Sequence, residues 1–161
     1  MSGLRLNTAL DARQTPVDRH TVAAAVEGAY ACLEVVHSTW TGYRFNLEQN
    51  TADNSSAGQV VIGLRLPVTD LMALDTVAVR LHDSSDHTLG QGVGADADGH
   101  PLDALARLAR ELAAFDQRLE AGDWVITGGL TKACALEPGG RLVGVFSAGE
   151  AWSVEAAVLR P

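Results

Sequence analysis

The sequence predicts an α+β fold that is mostly β, with two main helices. Short apolar, β-branched runs recur between clusters of turn-forming residues along much of the chain. A long stretch near the middle carries leucines at helical spacing, and a second helical pattern precedes the first clear strand. Hydrophobic residues make up 47% of the 161, enough to bury a sizeable core in a chain of one domain's length.

Residues 1–16 show no strong periodicity and end at Pro16. Over 17–30 the positions Val17, Val22, Ala25, Val26 and Ala29 fall on one helical face, and Pro16 suits a helix start because its missing N–H would be unpaired there anyway. Leu33-Glu34-Val35-Val36 reads as a strand and 40–47 as a second extended piece. Residues 48–58 read as a polar loop, and 60–66 as a strand closed by Pro67. The runs 77–81 and 88–93 flank Asp83-Ser84-Ser85-Asp86 and predict a hairpin. The spacing of Leu102, Leu105, Leu108, Ala109, Leu112 and Phe115 predicts a helix over 101–119, stopped near Gly122. Strands at 124–127, 141–147 and 152–159 follow, with Pro138-Gly139-Gly140 as a turn.

Composition excludes several function classes. The net charge of −8 repels phosphate, and no basic stripe offsets it, so nucleic acid is not an expected partner. No apolar run reaches membrane-spanning length, and the first residues lack the apolar core of a signal peptide. Cys32 and Cys134 are isolated, which fits a reduced, cytoplasmic protein. Gly90, Gly92 and Gly94 superficially suggest a phosphate loop, but no Lys-Ser/Thr pair and no helix start follow at the right distance.

Particular motifs carry the reading further. Ala31-Cys32-Leu33-Glu34-Val35-Val36-His37-Ser38 resembles an ALEVVDSR strand, and Thr51-Ala52-Asp53-Asn54-Ser55-Ser56 resembles an ADN(A/T)SS segment. Tyr43-Arg44-Phe45-Asn46-Leu47 is similar to F-K-F-D-L, and Gly99-His100-Pro101-Leu102 to the GHP that opens a helix. Leu119-Glu120-Ala121-Gly122-Asp123 followed by Ile126-Thr127-Gly128-Gly129-Leu130-Thr131 resembles L-x-A-G-D…(S/T)-G-(G/S/A)-L-T. Together, over residues 17–159, these resemble the fumarylacetoacetate hydrolase superfamily, in its 2-keto-4-pentenoate hydratase and 4-oxalocrotonate decarboxylase branch. The resemblance implies a fumarylacetoacetate hydrolase-like mixed β-sandwich or roll. Residues 1–161 would form a single domain matching the C-terminal part of that family, shortened at its N-terminus.

The resemblance also implies chemistry. The family uses a divalent cation, usually Mg²⁺, held by three carboxylates, to stabilise the enolate of a 2-oxo acid. Two ligands come from an E-x-E segment and the third from the glutamate of ALE, matched by Glu34. Here the chain departs from the pattern. Residues 1–10 contain neither Asp nor Glu, and His37 and Thr39 stand in place of the aspartate and arginine of DSR. With Glu34 the one retained ligand, the sequence predicts no metal site and no cofactor, Mg²⁺ returning only if a site is rebuilt.

The candidate catalytic residues are therefore Glu34, His37 and Lys132. Glu34, a carboxylate within an apolar strand, is a candidate general base on a carbon acid; the bland alternative is a vestigial ligand facing water. His37 suits proton transfer near neutral pH, though three residues along a regular strand it faces away from Glu34 unless a bulge intervenes. Lys132, the chain's only lysine, adjoins Thr131 and could hold a substrate carboxylate or enolate, or form a Schiff base; otherwise it is a solvated loop lysine. Candidate substrate-binding residues are Asp53, Thr131, Trp40 and Tyr43, with turn-building and ordinary aromatic packing as the alternatives for Asp53, Trp40 and Tyr43.

Two functions follow. The first is a metal-independent lyase- or isomerase-type enzyme on a small 2-oxo, β-keto or enol acid, by decarboxylation, hydration, proton transfer or cyclisation. The second is a non-catalytic or complementing subunit of a full-length hydratase or decarboxylase. A homo-oligomer is expected in either case, because a shortened domain leaves apolar surface or strand edges to cover.

Overall fold

The computed structural model describes residues 1–149 and 152–160. In chain order the elements are β1 (Ser2–Leu6), α1 (Arg19–Ala25), β2 (Val26–Val36), α2 (Leu47–Ala52), β3 (Ala57–Arg65), β4 (Ala78–Asp83), β5 (Thr88–Val93), α3 (Pro101–Ala113), β6 (Trp124–Ile126), β7 (Arg141–Ser147) and β8 (Ser153–Leu159). The strands make two four-stranded sheets, ordered β3-β2-β1-β6 and β5-β4-β7-β8, with every pair antiparallel. The α+β, mostly β expectation holds.

The sheets face one another, β2 and β3 packing over β7 and β8. Leu4 and Leu6 of β1, Ala31 of β2 and Phe146 of β7 are buried in the shared core. Helices α1 and α3 lie side by side and continue it with Val22, Leu102 and Leu105. Fully burying a leucine contributes about 1.5–3 kcal/mol, so this leucine-rich face is what holds α3 in place.

Local chemistry sets the helix ends. Asp18 caps α1 by accepting from the Thr21 backbone N–H at 2.8 Å. His100 caps α3: its Nδ1 accepts from the Leu102 N–H at 3.0 Å. That assigns the ring proton to Nε2, which donates to Met72 O at 3.1 Å. Pro101 follows as the first helical residue, where its missing N–H costs nothing. An Arg19–Asp103 ion pair ties the two helices together.

Five expectations differ. The helix expected over 17–30 is α1 alone; from Val26 onward the β-branched and aromatic residues pair with β1 and β3 instead, so sheet pairing overrides the helical spacing. The helix expected over 101–119 ends at Ala113, with Gln117 N–H closing onto Leu112 O at 2.9 Å and Asp116 at φ 57° turning the chain. Leu119 is then free to bridge to Leu10. The extended piece at 40–47 is a turn, with Gly42 at φ 63° and Tyr43 at φ 56°. The polar loop at 48–58 contains α2, held by a reciprocal capping box in which Asn46 and Gln49 bond each other's backbone N–H at 2.8 and 2.9 Å. The first residues, read as featureless, form the central strand β1.

Candidate active site

A two-lobed cleft is lined by the end of β2, by β8 and by the segment that follows β6, its lobes sharing Val35, Val36, Leu136 and Val158 as walls. The smaller lobe is a cavity of about 270 Å³, mainly apolar, lined by Leu33, Leu81 and Leu142 and carrying Glu34, Thr131 and Lys132. The larger, of about 840 Å³, carries His37, Tyr43, Asp53, Gln59, Glu137 and Arg160.

Glu34 reaches the smaller lobe from β2, where it is half-buried and paired with Val60 of β3. Thr131 and Lys132 arrive from the loop after β6, and two glycines explain how. A Cβ on Gly92 would lie 1.8 Å from Leu130 O, and one on Gly90 would lie 3.1 Å from the Thr131 Cβ. Only a strand bare at these positions lets the loop lie flat on β5. Buried Leu130 then pins it, and Thr131 and Lys132 follow onto the cleft wall. The glycines dismissed as a phosphate loop thus have a packing role.

Glu34 and His37 do not come together, as their spacing along a strand implies. The register shifts between Val35 and Val36, yet His37 turns to the larger lobe, its backbone N–H donating to Ser56 O at 2.7 Å. Asp53 is enclosed by donors: Ser38 Oγ at 2.9 Å, the Thr39 N–H at 3.1 Å and Ser56 Oγ at 3.1 Å. Partial burial works against ionisation, but these hydrogen bonds outweigh it and hold the Asp53 carboxyl below the usual carboxylate range. Tyr43 donates its hydroxyl to Val36 O at 3.1 Å and lines the larger lobe. Trp40 lines neither lobe; its Nε1–H donates to Gln49 O at 3.1 Å, which fastens the turn to α2.

Cys134, Glu137 and Arg160 line the cleft without having been singled out. No motif marks them, because only the pairing of β7 with β8 brings the end of the chain beside β2. Burial pushes the Cys134 thiol up, away from the reactive thiolate.

The smaller lobe is offered the carboxylate of Glu34, the hydroxyl of Thr131, the ammonium of Lys132 and the thiol of Cys134 in an apolar setting. Among the described residues no group of three His, Cys, Asp or Glu side chains gathers. Mg²⁺ or Ca²⁺ draws six or more oxygen ligands, waters included, so the residues present do not by themselves make up a metal centre.

No protein-family model matches the chain. It is 34% identical over 118 residues to 4-oxalocrotonate decarboxylase of Pseudomonas putida, covering 73% of this chain and 44% of the relative. It is 34% identical over 126 residues to 2-hydroxyhexa-2,4-dienoate hydratase of Comamonas testosteroni, covering 78% and 47%. The chain thus spans about half the length of the curated relatives it matches. Among solved structures, 4-oxalocrotonate decarboxylase from Pseudomonas putida G7, complexed with magnesium and adipate, superposes with a TM-score of 0.82 at 25% identity, over 96% of this chain and 57% of that one. A second structure of that enzyme is complexed with calcium and acetate. These complexes overturn the expectation of a site without a cofactor, which rested on the missing E-x-E, on His37 and Thr39 in place of the DSR residues, and on Glu34 as the one retained ligand. The chain belongs to the 4-oxalocrotonate decarboxylase and 2-keto-4-pentenoate hydratase branch of the fumarylacetoacetate hydrolase superfamily.

Proposed function

We propose that this chain is a lyase of the hydratase and decarboxylase type, acting on a small 2-oxo or enol acid in the smaller lobe. What supports the reading is the convergence there of Glu34, Thr131 and Lys132, drawn from opposite ends of the sequence onto one apolar wall. Lys132 binds the substrate carboxylate as a point charge, and the Thr131 hydroxyl donates to the oxygen on the neighbouring carbon. Glu34 takes or returns a proton at the carbon next to that carbonyl, a task suited to a carboxylate held beside apolar side chains. Leu33, Leu81 and Leu142 keep water from the carbon skeleton. Glu34, with water and substrate oxygens, would hold a divalent cation of the kind found with the decarboxylase, which would then supply Lewis-acid stabilisation of enolate charge.

Ultraviolet absorbance during turnover of 2-hydroxypenta-2,4-dienoate and 2-oxo-3-hexenedioate, with Mg²⁺ and again with EDTA, tests this. Turnover with Mg²⁺ that EDTA removes is expected, and Glu34→Gln should lower kcat about 100-fold or more. No turnover of either compound in either condition would overturn the lyase reading. Activity appearing only on mixing with a full-length relative would replace it by a complementing role.

A further inference from the structure

The outermost strands of the two sheets are not equally protected. A free strand edge offers unpaired N–H and C=O groups to any other chain, and natural edges are blunted by shortness, by charge or by cover. Strand β6 is three residues long, β8 carries the exposed Glu155, and the loop after β6 lies against β5. Strand β3 has none of these defences. It is nine residues long, has no proline, carries no charge before Arg65 at its end, and seven of its nine residues are exposed.

Its side chains add an apolar row to that edge. Gly63 faces β8, where a Cβ would lie 2.9 Å from that of Ala156, so Val60 and Ile62 face away from the sandwich. Leu64 stands out where the register with β2 shifts. The three are 46%, 45% and 71% exposed. Single exposed apolar residues are ordinary, but a contiguous row along an open edge marks a contact surface.

The charges at the two ends of the row decide what fits it. Glu34 pairs with Val60 at one end. Arg65 closes the other, lying across Gly28 and donating to Glu27 O. Neither Glu34 nor Arg65 has an ion-pair partner among the described residues. A two-fold rotation about the middle of β3 lays the strand antiparallel to its own copy. The Arg65 end of each copy then meets the Glu34 end of the other, and the apolar row meets itself. The edge is therefore complementary to a second copy of the chain in hydrogen bonding, in apolar surface and in charge.

We infer that β3 is the interface of a homodimer, in which two copies of the sheet β3-β2-β1-β6 join edge to edge through antiparallel β3–β3 pairing. The inference goes beyond the proposed chemistry and does not depend on it. The contact buries roughly 1,000 Å² in all, near the lower limit for a specific complex, so the dimer forms reversibly with micromolar affinity.

Sedimentation equilibrium of the full chain, over concentrations from about 1 to about 100 μM, tests it. The mass should rise from that of one chain towards that of two. Ile62→Asp brings like charges together near the two-fold axis and should weaken association about 100-fold. Leu64→Lys, at the most exposed position of the row, should weaken it about tenfold and keeps the test open if the first variant does not fold. Arg65→Glu sets acid against acid at both ends, so it should weaken the dimer most at low salt. Phe115→Asp changes an equally exposed apolar residue beyond α3 and should leave the mass as it is. Circular dichroism of each variant checks the fold. A monomer at every concentration, an assembly that Ile62→Asp and Leu64→Lys leave intact, or one that Phe115→Asp disrupts as strongly would overturn the inference. Turnover by a chain that stays monomeric sinks the dimer and leaves the lyase; a dimer without turnover does the reverse.

Discussion

The two lobes of the cleft are assembled by different physics. The smaller is a product of close backbone approach: the loop after β6 lies against β5 because Gly90 and Gly92 leave room, and buried Leu130 locks the contact. The larger is walled on one side by a mostly exposed segment, 38–56, that contributes only Ser56 to the buried set. Polar bonds hold it instead: Asp53 to Ser38, Thr39 and Ser56, Trp40 to Gln49, and Tyr43 to Val36. A site built on packing is rigid and intolerant of added volume. One built on partly solvated hydrogen bonds is adaptable and sensitive to pH. The reacting end of a substrate needs the first kind of support, and the end that varies between substrates can be served by the second.

The largest expected effect comes from breaking the packed lobe. Gly92→Ala puts a methyl group into Leu130 O, a backbone atom that cannot swing aside, so the loop must lift from β5. A cost of about 2–4 kcal/mol is expected, with Thr131 and Lys132 displaced from Glu34. Gly128→Ala is the matched control, since its Cβ would meet nothing within 4 Å. Thermal unfolding and kcat/KM should both fall for the first and stay near native for the second. Equal behaviour of the two would show that the loop is not held by close approach.

The same contrast explains what was legible in the sequence. The hairpin β4–β5, the strands β7 and β8 and the leucine face of α3 are written in local spacing, and the structure keeps them. Glu34 and Thr131 stand in family-like motifs, Lys132 is the chain's only lysine, and the three share one lobe. Segment 38–56 is not legible in the sequence, because its conformation depends on residues at positive φ, Tyr43, Asn54, Ser55 and Ser56, that no hydrophobic period reveals. Its capping box, Asn46 with Gln49, was there to be seen. Arg160 was out of reach: nothing in Val158-Leu159-Arg160 distinguishes a cleft arginine from a solvated one until β8 is laid against β7.

A smaller effect is expected in the polar lobe, and it depends on pH. The folded-state pKa of Asp53 lies below its unfolded value near 3.9, so the carboxylate stabilises the fold above that value. This contribution is lost as pH falls through the lower, folded-state value. Asp53→Asn should therefore lower Tm by a few degrees at neutral pH, and the gap to the native protein should close as pH falls below the unfolded value. A gap that persists unchanged into acid would show that the side chain acts by shape rather than by charge.

The smallest expected effect is at Tyr43, whose ring is half exposed and whose hydroxyl bonds Val36 O from the solvent side. Water can replace the phenol at that carbonyl, so Tyr43→Phe should cost only about 0.5 kcal/mol, at the low end for a hydrogen bond. Its value is in separating the lobes. Val36 lines both lobes, so loss of this bond should loosen the larger lobe slightly, while the reaction at Glu34 proceeds at its native kcat. A fall in kcat would mean that the wall transmits the disturbance, and that the polar segment helps to hold the packed lobe rather than merely adjoining it.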